Sequence, residues 1–83
     1  MNEQIELFLY KLIKAQNDKG DIYVSERPER LAELVSNELG VIVQEAEVMD
    51  VIRQMKREFK IGFKYFGQYI MIKTASHTPK EFQ

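Results

Sequence analysis

Residues 45 to 74 constrain this chain more than any other stretch, because a helix with its charges sorted by sign runs there into an aromatic-rich pair of strands. On a helix advancing about 100° per residue, Val48, Ile52, Met55 and Phe59 fall on one stripe, spaced 4, 3 and 4. That stripe is the expected buried face. Arg53, Lys56, Arg57 and Lys60 make a second stripe, and Glu47, Asp50, Gln54 and Glu58 a third. The helix is read as continuing without a break into the strands.

Arg53 and Arg57 are four residues apart, as are Lys56 and Lys60, and like charges at that spacing repel by a few tenths of a kcal/mol. One explanation is an acidic partner such as a phosphate backbone, to which the stripe is complementary. The plain alternative is a solvated helix face, since Lys and Arg are ordinary surface residues.

Ile61 to Tyr65 and Gln68 to Thr74 are rich in aromatic and β-branched residues, and Phe66-Gly67 supplies the glycine that a two-residue hairpin turn prefers. Counting outward pairs Tyr65 with Gln68, Phe63 with Ile70 and Ile61 with Ile72. Ile61, Phe63, Ile70 and Ile72 then close over the helices. The opposite face sets Lys64 beside Tyr69 and Lys60 beside Lys73, so basic and aromatic residues interleave outside.

Eighty-three residues make one domain, of a size that buries only about 60 % of its unfolded surface, so a large enclosed active site is not expected. The formal charge of -1 hides a division: residues 1–50 hold 11 acidic and 5 basic side chains, residues 51–83 hold 2 and 7. That asymmetry points to a nucleic-acid-facing surface on an acidic body. Cysteine is absent, and neither a signal-peptide pattern nor an apolar run of membrane-spanning length is present, so the expected location is cytoplasmic, with no membrane partner.

Upstream, Asn2 is a candidate N-cap, and Ile5, Phe8, Leu9, Leu12 and Ile13 recur at helical spacing until Asn17, Asp18 and Gly20 stop the pattern. Leu7 and Tyr10 lie off that stripe, either as a homodimer contact or as scattered surface hydrophobes. Ile22, Tyr23 and Val24 are expected to add a third strand to the hairpin. Pro28 suits the first turn of a second helix whose buried stripe is Leu31, Leu34, Val35 and Leu39, ended by Gly40. Val41-Ile42-Val43 reads either as an extended link or as the entrance to the third helix. Glu45 and Glu47 favour that helix's dipole. Residues 75–83 read as a polar, disordered tail.

The order helix, short strand, helix, turn with Gly40, helix, hairpin resembles the winged helix-turn-helix superfamily over residues 3 to 74. Leu31-Ala32-Glu33-Leu34, then Glu38-Leu39-Gly40-Val41, then Val48, Ile52 and Met55 carry the likeness to that family's second helix, turn and third helix. The implied fold is α+β: a winged helix of three helices with a small antiparallel sheet, spanning residues 1–74. The resemblance further implies that the third helix is a recognition helix and the hairpin a wing that together contact double-stranded DNA, as in a transcriptional regulator. Its N-terminal residues Gln44, Glu45, Glu47 and Asp50 suit a phosphate-lined groove poorly. The expected contacts are therefore Arg53, Lys56, Arg57, Lys60, Lys64, Tyr69 and Lys73. A protein-interaction module on the same scaffold is the alternative.

Catalysis finds little to work with. The one histidine, His77, sits in the tail, and the acidic pairs Glu45 with Glu47 and Glu26 with Glu29 have no apolar setting to separate their pKa values. No metal-ligand cluster or glycine-rich phosphate loop stands in the sequence, so no cofactor, metal or small-molecule ligand is expected and the chain is read as a non-enzyme.

Overall fold

Six elements follow one another in a computed structural model that describes residues 2–21 and 23–74: α1 (Asn2–Asp18), β1 (Val24–Glu26), α2 (Pro28–Leu39), α3 (Glu45–Arg57), β2 (Ile61–Phe66) and β3 (Tyr69–Thr74). The fold is α+β, with three helices against an antiparallel sheet of order β1-β3-β2. Residues expected to form the tail, His77 among them, lie outside the described residues.

The core is the apolar stripe of each helix closed by one face of the sheet. Ile5, Leu9 and Ile13 of α1, Leu31 and Val35 of α2, Val48, Ile52 and Met55 of α3, and Ile61, Phe63, Ile70 and Ile72 of the sheet are all buried. Asn17 continues the α1 stripe inward as a polar residue. Its side-chain carbonyl accepts the Thr74 N–H at 3.0 Å and its amide donates to the Asp21 carbonyl at 3.0 Å. One buried amide thus ties the end of α1 to the far end of β3, satisfying backbone groups that would otherwise be costly to bury.

Helix α2 starts as expected, with Pro28 in its first turn, and stops at Gly40, whose φ of 71° is the left-handed C-cap that glycine adopts without strain. The stretch after it is neither a strand nor part of α3. The Val43 N–H donates to Ser36 Oγ at 2.9 Å, while that hydroxyl donates to the Ala32 carbonyl at 2.7 Å. Val43 is held inward and Ile42 is left 84 % exposed. Helix α3 then opens with the Gln44 N–H donating to Glu47 Oε1 at 3.4 Å, one half of a capping box.

Helix α3 does break before the hairpin. Glu58 is its C-cap, Phe59 has a φ of 59°, the Lys60 N–H donates to the Met55 carbonyl at 3.0 Å and the Phe59 N–H to the Lys56 carbonyl at 3.0 Å. This is the Schellman arrangement with an aromatic residue where glycine is usual. Phe59 therefore leaves the buried stripe and is 74 % exposed, with Val51 and Met49 buried beside Val48, Ile52 and Met55. Lys60, one residue further on, is off the helix.

The hairpin turns one residue later than the sequence pattern suggests. Phe66 pairs with Tyr69, Tyr65 with Ile70, Phe63 with Ile72 and Ile61 with Thr74, around Gly67-Gln68. Turn chemistry explains the difference. A Phe66-Gly67 turn of the I′ type needs positive φ at both residues, whereas the II′ turn needs it only at the first, and Gly67 supplies it with a φ of 63°. Each residue's partner moves by two positions, so the faces survive: Ile61, Phe63, Ile70 and Ile72 remain inward. The outer neighbours do not survive. Lys64 opposes Met71 rather than Tyr69, and Lys73 opposes Gly62 rather than Lys60. The third strand joins as expected, next to β3, but runs from Val24 to Glu26, with Val24 opposite Ile72.

Candidate nucleic-acid interface

The basic stripe of α3 divides between two sides of the molecule. On the side of α1, the Arg57 guanidinium donates to Gln54 Oε1 at 2.6 Å and Gln54 Nε2 donates to Glu58 Oε2 at 3.0 Å. Lys60 Nζ lies 3.2 Å from Glu58 Oε1 and 2.8 Å from Glu6 Oε2 on α1. The hydrogen bonds to Glu6 and then Glu58 raise the Lys60 pKa above its ordinary value, and those from Gln54 and then Lys60 hold Glu58 below the usual carboxylate range. Arg57 also lines a shallow cleft with Glu3, Glu6 and Asp50. These two cations belong to an acidic neighbourhood built by α1.

Lys56 turns the other way, toward the hairpin. Lys56 lies along β2, its ammonium donating to the Phe63 carbonyl at 3.4 Å and standing 5.0 Å from the centre of the Phe63 ring. Strand β2 is an edge of the sheet, and a lysine over its outer carbonyls discourages pairing with another chain. The Phe63 carbonyl belongs to the peptide that begins Lys64, so Lys56 joins the helix stripe to the wing. Arg53, one turn earlier, is half exposed and paired with Asp50 at 3.3 Å. Lys56 and Lys64 thus meet at the α3–β2 seam, with Arg53 one helical turn from Lys56.

The outer face of the sheet completes the surface. Strand alternation places Ser25, Gly62, Lys64, Phe66, Tyr69, Met71 and Lys73 there, a set with two lysines, two aromatic rings and no carboxylate. Phe66 and Tyr69 are exposed directly opposite each other at the tip. Tyr23 stands over this face, its ring centre 5.0 Å from Lys73 Nζ and 6.0 Å from Lys64 Nζ, both at cation–π distances. Lys73 is only 8 % exposed.

Of the seven residues expected at a DNA surface, Lys56, Lys64 and Tyr69 thus lie along the seam and hairpin, and Arg53 lies one turn up α3, paired with Asp50. Arg57 and Lys60 turn toward α1, and Lys73 is covered. Sequence reasoning misses Tyr23, Phe66 and Asn17. An extended-prone setting masks Tyr23, and a position next to the turn glycine masks Phe66. Off the sheet, Leu7 is 56 % exposed beside a groove formed with Phe8, Lys11, Glu38 and Leu39, whereas Tyr10 packs partly buried against the core.

Among the described residues no group of His, Cys, Asp and Glu is arranged to hold a metal ion, and no helix is long and apolar enough to cross a membrane. Comparison of the chain with protein-family models, with curated proteins and with solved structures returns no match, so its own residues carry the functional reading.

Proposed function

We propose that this domain binds double-stranded DNA as a small winged-helix regulator, laying the α3–β2 seam along the phosphate backbone. The observation that carries the reading is the contact of Lys56 with the Phe63 carbonyl, which sets a helix cation against the strand that carries Lys64, with Arg53 one helical turn away on α3. Phosphate oxygens are the natural partners of such cations, and neutralising them releases counterions. Glu45 and Glu47 lie at the opposite end of α3 from Lys56, where they disfavour entry of that end into a groove. The contact is therefore one that positions the protein on the backbone rather than one that reads base edges. A mobility shift with random-sequence duplex tests it: binding at low salt that weakens steeply at moderate salt is expected, and no shift at either salt refutes it.

The exposed Leu7 beside its groove favours a second reading, a protein-interaction module in which α1 meets a partner. A second copy suits the site, because Lys11 and Glu38 flank the groove with opposite charges and a two-fold contact sets each against the other's counterpart. Such pairing is compatible with DNA binding and doubles the phosphate contacts.

A further inference from the structure

Phe66 and Tyr69 pose a question that duplex binding leaves unanswered. They form a directly opposed cross-strand pair on the outer face, 70 % and 47 % exposed. Paired bases in a duplex offer their edges to a protein, not their faces, so a phosphate-tracking seam has no use for two flat rings. A turn of the II′ type, with Gly67 at its first central position, holds the strands that carry them.

We infer that the outer face of the sheet is a stacking surface for the unpaired bases of a single nucleic-acid strand, with Phe66 and Tyr69 as the rings that receive them. Every base has a π face, and exposed aromatic rings beside lysines are the chemistry that holds a single strand without reading its sequence. The charge of the face fits that ligand. Lys64 sits one strand position inward from Phe66 on the same side, where it meets the phosphate of a stacked nucleotide, and among the described residues no acidic one occupies a strand position of this face. Tyr23 continues the surface. It lies at the level of Lys73, about 13 Å along β3 from Tyr69 at the usual rise per residue, and the Lys73 ammonium 5.0 Å from its ring centre holds it there. The surface shares only Lys64 with the duplex-binding seam and otherwise stands on its own residues.

The test is fluorescence anisotropy with a short labelled oligothymidylate, an oligouridylate, an abasic strand of the same length and a duplex. Wild type is expected to bind the base-bearing strands and to bind the abasic strand at least about ten-fold more weakly. The double variant Phe66→Ala with Tyr69→Ala should lose about ten-fold in single-strand affinity for each ring removed, while the variant Phe66→Tyr retains it. A preference for the deoxy or the ribo strand supports the inference and identifies the strand. Duplex binding separates this claim from the seam: Arg53→Ala should weaken the duplex and spare the single strand, and the aromatic double variant the reverse. Equal affinity for abasic and base-bearing strands, an unaffected double variant, or no binding of any single strand at low salt overturns the stacking surface whatever the duplex does.

Discussion

Phe59 is the residue at which local chemistry and the observed backbone disagree most. Its φ of 59° lies where a side chain costs about 1–2 kcal/mol, and 74 % of its surface remains in water. Replacing Phe59 with Gly should therefore stabilise the domain by about 0.5–1 kcal/mol, the relief of strain outweighing the extra freedom of the unfolded chain. Denaturant melts decide it, and a loss of stability would mean that the ring packs against something. The periodicity of α3 could not foretell this, because Phe59 continues an unbroken apolar stripe and only the 6→1 hydrogen bond from Lys60 reveals that the helix has ended. Gly40 is legible for the opposite reason: glycine at the end of an apolar stripe is a stop signal. Asn17 reads in the sequence as a helix terminator, and its buried role depends on Thr74, which is distant in sequence and invisible to local pattern.

For the hairpin as an element, alternation sets the faces and turn chemistry sets the partners. Phe63 is buried with its ring edge-on to Tyr65, centroids 5.8 Å apart, whereas Tyr69 is exposed. Truncating Phe63 to Ala should cost on the order of 3 kcal/mol, as at other buried aromatic positions, and Tyr69→Ala much less. Equal losses would place the two rings in equivalent surroundings and contradict the register. Alternation has a period of two, so a shift of two in partner leaves it unchanged; the sequence pattern is sound for what is inward and blind to which outer residues meet. The helix stripe is legible in the same limited way. Its four cations group together on the helical period, but their division between α1 and the wing depends on Glu6 and on the Phe63 carbonyl. Because Glu58 has a lowered pKa through its bonds from Gln54 and Lys60, the stabilisation from that network is present above the ordinary carboxylate value and is lost as the pH falls through the folded one. It is a small effect, since the groups are exposed.

Across the whole molecule the acidic and basic halves of the sequence meet rather than separate: Glu6 of α1 holds Lys60, Asp50 of α3 pairs with Arg53, and Lys56 reaches β2. Assembly is the first property to check at this scale: if two copies pair through α1, sedimentation at micromolar concentration should show a mass above 9.8 kDa, and Leu7→Asp should return it to that of one chain. A wild-type mass of one chain throughout would remove the second copy and leave Leu7 a surface hydrophobe.

The central claim is that the α3–β2 seam meets phosphates, and the slope of log affinity against log salt measures it directly. For duplex DNA, replacing Arg53 and Lys64 together with Ala should flatten that slope by about 2, one for each phosphate no longer neutralised. Lys60→Ala should change it far less, because Lys60 is held by Glu6 and Glu58. An unchanged slope and affinity in the Arg53 and Lys64 double variant, or a larger change on replacing Lys60, would contradict the account.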